Sequence, residues 1–113
     1  MERNFEFKET YSLGIWTVKA GKEIEFINEW TLFANWTSTH FPGAGQAYLL
    51  RDEKSPLRFI SFGPWDHEST IQQWRDSNEF KSFGSKVKDL CVDFQPNTMK
   101  VVATSKKGEA KIY

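Results

Sequence analysis

Cysteine is nearly absent from this chain of 113 residues. Cys91 stands alone, so no intrachain disulfide braces the fold, and its amphipathic surroundings mark it as a small core side chain in a reducing compartment. Net charge is absent as well. Fifteen Lys and Arg balance fifteen Asp and Glu, which removes any overall field drawing the protein to nucleic acid or to an anionic membrane. No run of about 18 apolar residues occurs, so no segment reads as a membrane-spanning helix. The start, Met1-Glu2-Arg3-Asn4-Phe5-Glu6, lacks the apolar stretch and cleavage site of a secretory leader. Two His and one Cys lie too far apart to give metal-ligand spacing, and no glycine-rich phosphate loop or Gly-x-Ser-x-Gly elbow is found. Seven Gly and four Pro are too few for a low-complexity chain. A cytoplasmic, single-domain protein without a metal site is the expectation.

Aromatic residues are abundant: ten Phe, five Trp and three Tyr. A domain of this size buries about two thirds of its surface, which is too little to hide so many rings in one core. Some must line a pocket or face a partner.

The apolar spacing gives the order of elements. Residues 1–10 alternate Phe5 and Phe7 with charges and suit a short strand or a loose arm. Residues 11–19 suit a strand with apolar residues on both faces. After Ala20-Gly21, residues 22–39 repeat at helical spacing through Phe26, Ile27, Trp30, Phe33 and Ala34, and Phe41-Pro42-Gly43-Ala44-Gly45 ends the helix. Strands are predicted at 46–51 and 58–65, with 52–56 as their hairpin loop. Helices are predicted over 68–76 and 78–92, a turn at Asp93-Phe94-Gln95-Pro96, a last strand at 99–105, and a charged, frayed tail over 106–111.

That order, β-α-β-β-α-(α)-β, is the split βαβ plan of ferredoxin-like α+β proteins, a four-stranded antiparallel sheet with helices on one face. The domain fills 1–113, with a packed core at about 11–105. Helices cover only one face of such a sheet, yet these strands carry apolar side chains on both. A second copy of the chain is the simplest cover for the other face, so a homodimer is expected.

Several segments resemble the antibiotic biosynthesis monooxygenase domain family over about residues 12–103. They are Thr17-Val18-Lys19-Ala20-Gly21-Lys22-Glu23, Pro42-Gly43, Leu50-Arg51-Asp52, Arg58-Phe59-Ile60-Ser61-Phe62, Pro64-Trp65-Asp66-His67-Glu68-Ser69, Trp74-Arg75 and Ser77-Asn78-Glu79-Phe80. The resemblance implies a dimeric α/β barrel. It also implies a choice of chemistries: cofactor-free oxidation of polycyclic phenols, quinol oxidation, or oxidative haem breakdown. Haem degraders of the family use an Asn on the first strand, a Trp in the second-helix region and a His about ten residues later. Trp74 matches the Trp, but the Asn and His positions fall near Gly14 and at Gly84, so haem breakdown is disfavoured. Trp65 matches one element of the phenol-oxidising members.

Cofactor-free oxygenation asks the protein to bind a flat ring, exclude water and help remove a proton. Trp16, Phe33, Trp36, Tyr48, Phe62 and Trp74 are the candidate ring-binding residues. His40, Trp65 and Arg51 are the candidate catalytic ones. His40 lies one helical turn after Trp36, and histidine is the residue type whose ordinary pKa suits a base at neutral pH. Arg51, or Arg58, suits an enolate or phenolate oxygen. Each also has a plainer role: the tryptophans as core or interface anchors, His40 as a helix C-terminal cation, and the arginines as solvated hairpin ends. A non-catalytic small-molecule binding dimer is therefore the alternative function.

Overall fold

The structure is a computed structural model that describes residues 9–113; the Phe5/Phe7 segment lies outside the described residues. The elements are β1 (Thr10–Val18), α1 (Glu23–His40), β2 (Tyr48–Arg51), β3 (Arg58–Trp65), α2 (Glu68–Arg75), α3 (Asn78–Leu90), β4 (Cys91–Lys100), β5 (Ala103–Lys106) and β6 (Glu109–Ile112). The first four strands form one sheet in the order β2-β3-β1-β4, antiparallel throughout. This is the predicted ferredoxin-like plan.

Gly21, at φ 86°, makes the turn from β1 into α1 in a backbone conformation that residues with a side chain rarely adopt. Glu23 and Glu25 then place acid in the first turn of α1, where the helix dipole favours it. Phe26, Trp30, Phe33 and Thr37 fall on one side of that helix. Phe26 and Thr37 are buried, and Trp30 and Phe33 pack on the core partly exposed. The α3 helix starts on a side-chain cap, with the Ser77 hydroxyl accepting the Phe80 backbone N–H at 3.1 Å. Its Phe83, Val87 and Leu90 meet Trp16, Val18, Phe26 and Phe59 in the core between helices and sheet.

Two stretches differ from the sequence expectation. The chain passes from α3 straight into β4 at Cys91, so 93–96 is strand rather than turn, and the last sheet strand ends at Lys100 rather than Ser105. Pro96 is tolerated because β4 is an edge strand, where an absent N–H costs no ladder bond on the open side. The register slips between Thr17 and Val18, leaving Val92 as the extra, exposed residue of a bulge. The charged stretch 106–111, expected to fray, instead turns a two-stranded hairpin, β5–β6. Lys107 and Gly108 both sit at positive φ, 52° and 82°, as a two-residue hairpin turn requires.

Alternation divides the central strands cleanly. Ser12, Gly14, Trp16 and Val18 of β1, and Phe59, Ser61, Gly63 and Trp65 of β3, face the helices. Leu13, Ile15, Ile60, Phe62, Tyr48, Leu50 and Met99 share the opposite face. There Tyr48, Leu50 and Met99 are 46%, 50% and 43% exposed. The uncovered apolar face inferred from the sequence is present.

Candidate functional site

The five residues Ser12-Leu13-Gly14-Ile15-Trp16 on β1 recur in pattern as Ser61-Phe62-Gly63-Pro64-Trp65 on β3. The strands are antiparallel with Gly14 opposite Ser61 and Ser12 opposite Gly63, so the two copies of Ser-x-Gly-x-Trp face each other head to tail. Each tryptophan then reaches diagonally to the other strand's serine. Trp16 Nε1 donates to Ser61 Oγ at 3.0 Å, and Trp65 Nε1 donates to Ser12 Oγ at 3.0 Å. Glycine is needed between them: a Cβ on Gly14 would lie 3.0 Å from both Ser61 Oγ and Trp16 Nε1. A third indole follows the same rule, Trp74 Nε1 donating to the buried Thr37 Oγ1 at 2.9 Å. These small hydroxyls let the buried Trp16 and Trp65 and the half-buried Trp74 keep their N–H groups satisfied. The serines and Thr37 are absent from the sequence-based candidates. The repeated pentapeptide is the signal that could have found the serines.

Between this floor and the helices lies a cleft of about 530 Å³. Trp30, Phe33 and Thr37 of α1 form one wall, and Trp65 and Trp74 another. Ser12 and Ser61 lie on the floor, and Gln46 and Ala47 are at the rim. Trp65 and Trp74 stand 5.0 Å apart at 41°, and Phe33 stacks on Trp74 at 5.7 Å and 17°. The volume is that of an ordinary small-molecule site. No Asp, Glu, His, Lys or Arg lines it among the described residues.

Of the sequence candidates, Phe33, Trp65 and Trp74 line this cleft, and Trp16 closes its inner end. Phe62 borders it, but its ring stacks on Tyr48 at 5.5 Å on the opposite face of the sheet, out of reach of the helices. Trp36 and His40 do share a side of α1 and stack at 4.8 Å, yet that side points away from the cleft. Trp36 instead lines a shallow groove between α1 and α3. His40 is exposed, and its Nδ1 bonds the Trp36 carbonyl at 2.9 Å. Arg51 donates from Nε to the Pro56 carbonyl at 2.9 Å, lies 3.8 Å from Glu23 and covers the Phe59 ring. It ties the β2–β3 hairpin to α1, and Arg58 pairs with Asp52 at 3.4 Å. Burial pushes the Cys91 thiol up to about 11, so it is no nucleophile at neutral pH.

The family model for antibiotic biosynthesis monooxygenases matches residues 13–86, and the chain belongs to that family. Solved structures agree on the fold. SnoaB, a cofactor-independent oxygenase from Streptomyces nogalater, is 16% identical over 91% of this chain and 100% of its own, with a TM-score of 0.76. A conserved protein from Methanosarcina mazei is also 16% identical, over 82% of this chain and 92% of its own, at 0.73. Comparison with curated proteins gives no match. No helix among the described residues is long and apolar enough to cross a membrane.

Proposed function

We propose that this protein is a cofactor-independent monooxygenase that binds a flat aromatic or quinol-type small molecule in the cleft over Ser12 and Ser61. The observation that carries the reading is the cleft itself: about 530 Å³, walled by Trp65, Trp74 and Phe33, and lined by no charged side chain among the described residues. Such walls bind a ring and keep water off a reactive anion. In this chemistry the ionised substrate gives an electron to O₂, and the protein supplies position and dryness. The cleft does not fit a haem iron, because neither an imidazole nor a thiol lines it among the described residues. Family membership and the likeness to SnoaB support the reaction class.

The active form in this reading is a homodimer, supported by the apolar face around Tyr48, Leu50, Phe62 and Met99. Leu50→Glu is expected to convert the dimer to monomer in light-scattering chromatography. A monomeric wild type would remove this part of the reading.

The test of function is oxygen uptake by metal-free protein with a panel of anthrones and hydroquinones. Protein-dependent uptake supports the monooxygenase. One observation favours a second reading, a binding protein without turnover: among the described residues no acid–base side chain lines the cleft. Tryptophan quenching by the same compounds without uptake would establish that alternative.

A further inference from the structure

A smaller cavity of about 50 Å³ opens off the inner end of the cleft, and the two share Ser12, Ser61, Trp30, Phe33 and Trp74. Its polar lining is unusual. Each serine oxygen already accepts an indole N–H, and among the described residues neither hydroxyl has an acceptor for its own proton. A hydroxyl carries one donor besides its lone pairs, so each serine has an unused O–H to offer.

The third polar group is Arg75, at the end of α2. Its two terminal nitrogens donate to Thr98 Oγ1 and to the Asn97 carbonyl, both at 2.8 Å, which clamps α2 to β4. The N–H on Nε is buried and has no partner. No carboxylate lines this cavity among the described residues, so the Nε edge of this partly buried guanidinium meets no opposite charge there. Burial lowers its pKa from the ordinary arginine value, the direction expected of a cation short of compensation.

We propose that Ser12, Ser61 and Arg75 form an anion subsite that takes the ionised oxygen of a ring-bound hydroxyl, so the protein selects phenolate or enolate over the neutral ligand. This rests on the ring-binding reading of the cleft. A volume of about 50 Å³ admits one oxygen substituent, a water molecule's share of the liquid being about 30 Å³. Two hydroxyl donors and a cation favour the charged form of that oxygen. The site thus names a substrate class: flat molecules with a hydroxyl that ionises near the working pH. It also assigns the anion role to Arg75 in place of Arg51.

The test uses alizarin, a hydroxyanthraquinone whose visible band moves on ionisation, titrated free and bound to the full chain. The wild type should bind the ionised dye at least tenfold more tightly than the neutral dye, read as a lowered pKa of the bound dye. Ser12→Ala and Ser61→Ala should each reduce that preference by about tenfold, the worth of one hydrogen bond to a charged group. Arg75→Met should abolish it. Should Arg75→Met fail to fold, the two serine variants decide, with their near-ultraviolet circular dichroism as the check on structure. Binding without preference for the ionised dye, or a preference that survives both serine changes, overturns the subsite and leaves the cleft standing. No binding and no tryptophan quenching overturns the ring-binding reading and the subsite with it.

Discussion

Replacing Gly14 by Ala tests the reciprocal serine–tryptophan pairing most directly. The new Cβ would lie 3.0 Å from Ser61 Oγ, 3.0 Å from Trp16 Nε1 and 3.2 Å from Phe94 Cε1. None of the three yields easily, since Trp16 is buried and stacked on Phe94 with centroids 3.8 Å apart. The methyl therefore pushes the indole and the hydroxyl apart. A buried N–H left without its acceptor costs about 1–3 kcal/mol. The more restricted unfolded chain returns about 0.4–1 kcal/mol. The net is a loss of about 1–2 kcal/mol, which in a domain of this size lowers Tm by roughly 5–15 °C. Thermal unfolding by circular dichroism reads the loss, and the Trp16 indole N–H resonance reads the broken bond. Gly84→Ala in α3 is the control. Its Cβ meets nothing within 4 Å, so helix propensity alone should stabilise by about 0.5–1 kcal/mol. A Gly14→Ala protein as stable as wild type, with the Trp16 resonance unmoved, would refute the reasoning.

Trp74→Phe removes the donor to the buried Thr37 hydroxyl and part of the cleft wall; a loss of about 1–3 kcal/mol in denaturant melts and weaker quenching by ring ligands are expected. Cys91 gives a pH signature. Its folded pKa, raised from 9.0 to about 11, means that the folded state holds the proton more tightly than the unfolded chain. Its stabilisation is complete below pH 9 and is lost as pH rises to about 11, so Cys91→Ala should flatten the decline of Tm across that window. With no titratable side chain on the main cleft among the described residues, the pH–rate profile should follow the substrate: between two substrates of different acidity, its midpoint should move with the substrate's own ionisation. A midpoint fixed across substrates, measured by oxygen uptake, would point to a protein base.

The order of elements was legible because the large apolar residues keep their period. Phe26, Trp30 and Phe33 mark the inner side of α1, and Phe83, Val87 and Leu90 that of α3. The last sheet strand was not, for a local reason. Asp93 and Pro96 are turn-forming residues by composition, but an edge strand exposes one long side to water and tolerates polar residues and proline there. Strand parity explains the split among the site candidates. Once Ser61 and Trp65 face the helices, Phe62 must face away, and its partner Tyr48 follows it through the β2–β3 register. Trp36 and His40 were correctly read as neighbours on a shared side. Their spacing could not show that this side points outward, because that depends on where Thr37 and Trp74 meet.

In the proposed anion subsite, the serine–tryptophan pairs would let a site with so little acid–base equipment favour one chemical form of its ligand. Trp16 and Trp65 could have been satisfied by backbone carbonyls, which would have closed the account. Serines leave a proton on each oxygen, and that surplus is placed where the cleft narrows toward Arg75. A base would speed ionisation of a ring hydroxyl; fixed donors and a partly buried cation shift its equilibrium instead, by stabilising the product of ionisation. For a substrate acidic enough to exchange its proton with water, the second route suffices. The charge-free walls of Phe33, Trp65 and Trp74 strengthen it, since the same donors count for more where the surroundings screen less.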